Sequence, residues 1–427
     1  MTATYLTVIL FVVFIILGVP VSVGLILGLV LSVMAFDTYS LISVATLFYS
    51  SLDSYLLVAI PLFMLAGISM SYGGVARRIF DFSEAVLSFL PGSMGAVNVM
   101  ASLIFGGMSG SSVADVAGLG SVEIKEMVNR DYSLKYATAL TIASSTMAVI
   151  MPPSILLIIY ATIANTSVGA TLAAGLIPGL LIALLLIVAN TGMMLRTSHA
   201  GTVAFSLEKV VRTGVYGLPA LLAPVIILGG IFIGTFTPTE ASAVAFVYSL
   251  LIGAFIYKEL NIKNLYKILY EGGRTSGIVA LELAAGLLFA NLMTIEGIPA
   301  TLAASIGNIT AEPIVVITMI SIILLIAGMF LNPGFSIIVF TPLLLPIAES
   351  IGYDPMHFGV IMVMNLAVGL ITPPVGACLY MGSVVSGLPV EQIVPHLKPF
   401  YLLLLLVLIL IILFPQISEG FANMIYG

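Results

Sequence analysis

The chain has 427 residues, of which 61% are hydrophobic and only 7% charged, with a net charge of -6 and a mean hydropathy of +1.24. About a quarter of the residues in an ordinary soluble domain are charged, so this composition excludes one and predicts a polytopic membrane protein embedded in a lipid bilayer. The 13 basic residues form no phosphate-binding stripe, which argues against nucleic acid as a partner, and the single cysteine, Cys378, permits no internal disulfide.

No Lys or Arg precedes Arg77, and the apolar run from Tyr5 to Met34 is longer than a signal-peptide core, so the first segment is expected to stay in the mature protein. Residues 4–35 are broken at Gly18-Val-Pro20 and predict either one kinked helix or two short ones. A polar gap with Asp37 and Asp53 leads to a span at 54–72. From Gly73 to Leu90, Arg77, Arg78, Asp81 and Glu84 share a helix with Val75, Ile79, Phe82, Val86 and Phe89, the pattern of an amphipathic helix lying along the membrane interface. A hairpin at 91–128 follows. Its centre, Gly107-Met-Ser-Gly-Ser-Ser-Val-Ala-Asp-Val-Ala-Gly-Leu-Gly120, places four glycines, three serines and an aspartate between apolar segments. Non-helical backbone persists at membrane depth only where protein or a cavity satisfies it, so these residues predict a hairpin tip buried in the membrane. A span interrupted at Met151-Pro-Pro153 and another at 171–195 come next, and 196–214 is the most polar connection up to that point.

Beyond it the chain repeats itself. Gly107-Met108 recurs as Gly328-Met329, Pro152-Pro153 as Pro373-Pro374 and Pro178 as Pro399, each at an offset of 221; Pro20 pairs with Pro238 at 218 and Gly67 with Gly286 at 219. Charge orients the two copies, because short cytoplasmic loops collect Lys and Arg. The first copy carries Arg77, Arg78, Lys125, Arg130, Lys135, Arg196, Lys209 and Arg212 where the second carries only Glu296, Glu312, Glu349, Asp354 and Glu419. Conversely, Lys258, Lys263, Lys267 and Arg274 stand where the first copy has Asp37 and Asp53. With Lys398 added, all 13 basic residues fall on one face if the copies are inverted, with both termini outside. Inverted repeats with paired broken helices are the layout of a secondary transporter whose site lies at mid-bilayer. The expected fold class is therefore all-α and polytopic, with two inverted-topology repeats, re-entrant hairpins and broken helices. Residues 1–90 and 198–311 are expected to form a scaffold, and 91–197 and 312–427 a mobile transport domain.

The second hairpin tip reads Gly328-Met-Phe-Leu-Asn-Pro-Gly334 and the second broken span Thr372-Pro-Pro-Val-Gly376. Asn332 before Pro333 and Thr372 before Pro373 are N-caps followed by proline at the first helical position; Ser112 with Asp115, and Thr237 with Glu240, are capping boxes. Buried helix starts suit an anion. Free carbonyls, with Ser109, Ser111, Ser145 and Thr372, offer hard oxygens to a cation such as sodium. Asp115, Glu240 and Glu282 are the acids expected within spans; Asp115 and Glu240 either cap a helix or bind a cation or proton, whereas Glu282 has no cap to serve. No Lys, Arg or His falls mid-span, and His199, His357 and His396 stand at helix ends as interface residues. The Gly-x-Ser-Gly pattern at Gly107–Gly110 matches an intramembrane serine protease, but such an enzyme needs a histidine base at depth. A passive channel would not require two inverted broken helices.

Phe-Gly-Gly-Met-Ser-Gly-Ser-Ser-Val-Ala-Asp115, Met-Pro-Pro-Ser154, Gly-Thr-Phe-Thr-Pro-Thr-Glu-Ala-Ser242 and Leu-Ile-Thr-Pro-Pro-Val-Gly376 resemble the large membrane subunit of the tripartite ATP-independent periplasmic (TRAP) transporters, over essentially the whole chain. The resemblance implies a non-enzymatic, sodium-driven elevator that takes up organic acids such as C4-dicarboxylates or sialic acid across a bacterial inner membrane. It implies a small four-span membrane subunit, here a separate polypeptide, and a soluble periplasmic binding protein as partners, and no cofactor besides sodium as coupling ion. Carried over by position, the sodium and substrate sites map to Gly107, Ser109, Gly110, Ser111, Ser112, Asp115, Ser145 and Pro152 in the first copy. In the second they map to Gly328, Asn332, Pro333, Gly334, Thr372, Pro373 and Gly376, with sodium at Ser109, Ser111, Ser145, Asn332 and Thr372. The alternative is a stand-alone sodium/dicarboxylate carrier of the same superfamily that needs no binding protein.

Overall fold

Gly18, in the left-handed region at φ +80°, and Pro20 resolve the opening run into two helices, α1 (Ala3–Ile16) and α2 (Val21–Phe36), packed on each other where Gly24 and Gly28 admit Phe14, Thr7 and Leu10. The computed structural model describes residues 3–37, 40–53, 55–195, 205–307 and 312–427; Arg196, His199 and the 197/198 boundary lie outside them. The expected polar gap before the second span is instead a helix, α3 (Leu41–Leu52). Ser40 caps it by accepting from the Ser43 N–H (3.1 Å), and Thr46 and Ser51 turn their hydroxyls onto the carbonyls of Ile42 and Leu47, so its polar residues serve the helix. A 3₁₀ turn at Tyr55–Val58 leads into α4 (Ala59–Tyr72), then the amphipathic α5 (Val75–Leu87), whose Val75, Ile79 and Phe80 are buried.

The first hairpin is α6 (Ser93–Ser109), α7 (Ser112–Gly118) and α8 (Gly120–Asn129). The first broken span is α9 (Leu134–Ser145), continued by a 3₁₀ turn to Val149, and α10 (Ile155–Ile163); α11 (Val168–Leu195) closes this half. The second half runs α12 (Leu207–Phe232), α13 (Pro238–Leu251), the 34-residue α14 (Ile262–Ile295) and α15 (Ile298–Gly307). It continues with the hairpin α16 (Pro313–Phe330) and α17 (Pro333–Ser350), the broken span α18 (Pro355–Leu370) and α19 (Ala377–Ser386), then α20 (Val390–Leu413) and α21 (Gln416–Tyr426). No strand occurs among the described residues, and eight of their helices are long and apolar enough to cross a membrane.

Moved by 221, the end of α6 and the starts of α7 and α9 fall on the end of α16 and the starts of α17 and α18. Packing between the halves is reciprocal. α10 lies on α17 and its counterpart α19 on α7; α11 lies on α18 and α20 on α9; α2 lies on α14 and α13 on α4. Exchanging the halves leaves this pattern unchanged, as a pseudo-two-fold relation requires. The centre belongs to the hairpins and broken spans: every residue of α18 from His357 to Leu370 is buried, whereas α1, α12 and α13 show wide apolar outer faces.

At one end of the molecule Arg78 of α5 pairs with Glu259 and stacks over the Tyr257 ring at 4.1 Å, while Glu84 receives Arg130 (3.0 Å) and Lys209 (3.3 Å). Arg78 and Glu84 of α5 thus gather Glu259, Arg130 of the α8 C-terminus and Lys209 of α12. Where the second hairpin meets its broken span, α16 and α18 touch backbone to backbone, and a Cβ built on Gly369 would stand 2.4 Å from the Gly328 carbonyl carbon. Gly369→Ala is accordingly expected to cost about 1–3 kcal/mol through overpacking. Gly229→Ala, at a position with nothing within 4 Å, should stay within about 0.5 kcal/mol. Thermal unfolding in detergent compares the two, and equal melting temperatures would contradict the close approach.

Candidate functional site

The first hairpin tip is built by small residues in a fixed order. A Cβ on Gly106 would fall 2.8 Å from the Ala148 side chain and one on Gly107 3.1 Å from the Pro152 carbonyl, so α6 lies flush against the broken span. Gly110 ends α6 in the left-handed region at φ +61°, its N–H donating to the Gly106 carbonyl at 2.8 Å. Ser111 is extended, and its hydroxyl accepts from the Ala114 N–H at 3.3 Å, so Ser111 and not Ser112 caps α7. The expected Ser112–Asp115 capping box is therefore one residue out of register, because Gly110 terminates the preceding helix just before Ser111. The second tip matches expectation: the Asn332 side-chain oxygen accepts from the Gly334 N–H at 2.8 Å, with Pro333 at the first helical position.

The broken spans differ from one another. In the first, Ser154 caps α10, accepting from the Leu157 N–H (3.1 Å) and donating to the Val149 carbonyl. In the second, Thr372 is not an N-cap: its hydroxyl donates back to the Val368 carbonyl (2.7 Å), and α19 starts only after Gly376, at φ +42°. The residue before a proline is disfavoured in the helical region, so Pro373-Pro374 cannot open a helix as a single proline does. The Gly376 N–H instead donates to the Met329 carbonyl at 3.2 Å, tying the broken span to the hairpin tip.

Both tips open on one cavity of about 540 Å³. Its walls are Ser109–Ala114 from the first tip, Asn332–Gly334 from the second, Ile155, Leu156 and Ile159 of α10, Gly67 and its neighbours on α4, and Glu271, Thr275, Val279 and Glu282 of α14. The starts of α7, α10 and α17 all reach this wall, and no Lys, Arg or His among the described residues lines it. Ser111, Ser154 and Asn332 each take one N–H at these starts, and the helix dipole adds a partial positive charge on the cavity side. The repeat-equivalent Gly67 and Gly286 lie flat against the hairpin elements, with built Cβ atoms 3.0 Å from Ser109 Cα and 3.0 Å from Ile338 Cβ respectively.

Of the residues predicted from sequence, Ser109, Gly110, Ser111, Ser112, Asn332, Pro333, Gly334 and Glu282 line the cavity. Gly107, Pro152, Gly328 and Gly376 shape the contacts just behind it. Ser145 is buried, its hydroxyl donating to the Ile142 carbonyl at 2.8 Å beside Cys378. Glu240 is exposed and completes the capping box with Thr237, accepting from its N–H (2.8 Å) and hydroxyl (2.9 Å), away from the cavity. Asp115 is fully buried, and neither of its oxygens nor the Ser112 hydroxyl has a hydrogen-bond partner among the described residues.

A further acid escapes sequence reading. Glu123 of α8 is fully buried and accepts from the Asn98 amide (3.0 Å) and the Ser102 hydroxyl (3.3 Å). Asn98 also donates to Thr141 (2.6 Å) and accepts from Ser144 (2.9 Å). The available signal is polar spacing within apolar helices: Asn98 and Ser102 are four apart on α6, Thr141 and Ser144 three apart on α9, so each pair shares a face that needs a polar partner.

An all-helical bundle with paired interrupted helices converging on one cavity at its centre is the construction of a membrane transporter. The sequence pattern of the family described as "Tripartite ATP-independent periplasmic transporter, DctM component" matches residues 8–417, and the chain belongs to that family of transporter permeases, which are not enzymes. It is 37% identical to the C4-dicarboxylate TRAP transporter large permease protein of Pseudomonas aeruginosa, over 92% of each chain, and 36% identical to the sialic acid TRAP transporter large permease protein of Vibrio cholerae, over 94% of each. It is also 37% identical, over 97% of its own length, to the isethionate TRAP transporter permease protein of Oleidesulfovibrio alaskensis, of which it spans 65%. Among solved structures, the YdaH transporter of Alcanivorax borkumensis shares the fold with a TM-score of 0.65 at 14% identity, over 88% of each chain.

The Glu123 network supplies a stability test. Asn98→Leu removes a donor from a buried carboxylate and should cost about 2–3 kcal/mol, whereas Asn98→Leu combined with Glu123→Met removes both partners and should recover much of that loss. Melting temperatures of the two single variants and the double variant close the cycle, and strictly additive losses would contradict the pairing.

Proposed function

We propose that the chain is the large membrane subunit of a sodium-coupled importer for an organic acid anion of the C4-dicarboxylate or sialic acid class. The observation that carries the reading is the central cavity, which the starts of α10 and α17 make receptive to an anion although its lining holds two carboxylates and, among the described residues, no cationic side chain. An anion entering this space needs accompanying cations, and the tips offer hard oxygens to bind them. The hydroxyls of Ser145 and Thr372 donate to carbonyls of their own helices and so keep their lone pairs free for a cation; Ser109 and Ser111 stand at the first tip, Asn332 at the second.

Reciprocal packing of the halves and the basic residues gathered at one end support inverted repeats in a bacterial inner membrane, with both termini periplasmic. The flush contacts at Gly67 and Gly286 support an elevator in which 91–197 and 312–427 slide against α4 and α14. Family membership supports a small membrane subunit and a periplasmic binding protein as partners, and the additional length of the isethionate relative leaves room for that subunit in fused form.

Labelled N-acetylneuraminate and succinate presented to proteoliposomes holding the chain, its small subunit and the binding protein test the reading. Uptake is expected only with an inward sodium gradient and with the binding protein present. Asn332→Ala, which removes a cap worth about 1 kcal/mol, should slow uptake without altering substrate affinity of the binding protein. Sodium-dependent uptake that ignores the binding protein would point to a stand-alone carrier, and equilibration without sodium would overturn coupling.

A further inference from the structure

Of the two acids that line the cavity, Glu271 and Glu282, only Glu282 is without a hydrogen-bond or ion-pair partner among the described residues, and Asp115, equally unpartnered, lies behind the lining. Glu282 is nine-tenths buried on α14. Glu271, at the same wall, receives the Tyr72 hydroxyl at 2.8 Å; Glu123 is held by Asn98 and Ser102; Glu240 serves a helix cap. The Glu282 carboxylate opens on the cavity and takes no hydrogen bond from the described residues, so it is free to accept from groups that occupy that space.

Glu271, Thr275, Val279 and Glu282 recur at helical spacing along one face of α14 and extend about 16 Å by helical rise. That stripe carries acceptors and no cation. The starts of α10 and α17, by contrast, present N–H groups suited to one carboxylate. A cargo with a second carboxylate would bring it into a space shared with Glu282 and Glu271, with no basic side chain to compensate. A cargo whose remaining polar groups are hydroxyls or amines would give the stripe the donors it lacks.

On the reading that this cavity holds the transported anion, we infer that Glu282 accepts hydrogen bonds from donor groups of the cargo and selects hydroxylated or aminated monocarboxylates, the sugar-acid class, over C4-dicarboxylates. The specificity is thus written into the membrane subunit itself and acts in addition to any selection by a binding protein.

Ligand-induced shifts in melting temperature of the purified chain with its small subunit, at saturating sodium and without binding protein, test this directly. The probes are N-acetylneuraminate and gluconate against succinate and fumarate. The hydroxylated monocarboxylates are expected to bind about tenfold or more tightly than succinate, the range given by a hydrogen bond to a charged group. Glu282→Gln should erase most of that preference while leaving the sodium concentration dependence unchanged. Glu282→Asp, which keeps the charge but withdraws it by one methylene, should show an intermediate preference and supplies the comparison if the glutamine variant melts early without ligand. Succinate binding as tightly as gluconate to the unmodified protein would overturn the inference and leave sodium-coupled transport standing. Glu282→Gln weakening every anion equally and shifting the sodium dependence would overturn it too, making Glu282 a sodium ligand. Binding of no anion at any sodium concentration would remove the transport reading and this inference together.

Discussion

A chain that stops being helical inside hydrocarbon leaves backbone N–H and C=O groups exposed, at several kcal/mol apiece, unless protein or a water-accessible space satisfies them. In this fold four such interruptions are gathered at the centre, where two hairpin tips and two broken spans share their unsatisfied groups. The tips lie against the broken spans through glycine and alanine, and the Gly376 N–H reaches across to Met329; the two tips and the start of α10 face the central cavity, whereas Pro373 and Pro374 of the second broken span line a separate pocket with Tyr380, Glu391 and Lys398. Helix starts are therefore concentrated in one place, and the polar chemistry of transport follows from the same constraint that governs folding.

Duplication makes this arrangement economical. Each half packs its hairpin on its own broken span and adds a helix to the other half's hairpin, α10 covering α17 while α19 covers α7. The copies are not chemically equal. The first tip uses Ser-Gly-Ser-Ser and stands before the buried Glu123 network and the unpartnered Asp115; the second uses Asn-Pro-Gly and has no acid beside it in the corresponding helix start. Charge asymmetry between the repeats is thus built into the core, whereas the repeat-equivalent glycines Gly67 and Gly286 keep the contacts with α4 and α14 smooth on both sides.

Features governed by local backbone physics are legible in the sequence. Asn332-Pro333 and Thr237 with Glu240 cap helices as expected, and the 221-residue offset locates both hairpins, because proline and glycine act within a few residues of themselves. Reading fails where two local signals compete or where the partner is distant. Thr372 carries the same signal as Asn332, but a second proline prevents the helix start; Gly110 moves the cap from Ser112 to Ser111. Segment 41–52 looks like a polar gap because its hydroxyls, bonded within the helix, resemble loop residues. Glu123 is invisible because Asn98 and Ser102 lie on another helix, and the cavity lining of Glu282 depends on packing between α14 and α17.

A reversible cross-link tests most directly the proposed movement of the hairpin and broken-span elements against α4 and α14. A Cβ at Gly286 would lie 3.0 Å from Ile338 Cβ, about 0.5 Å short of the Cβ spacing found in disulfides, so a small separation of α14 and α17 brings the pair into bridging range, and the native Cys378 is buried. Gly286→Cys with Ile338→Cys should therefore form a disulfide on mild oxidation. Uptake into proteoliposomes should stop when the bond forms and return on reduction, while sodium-dependent ligand binding persists. Undiminished uptake by fully cross-linked protein would contradict the account.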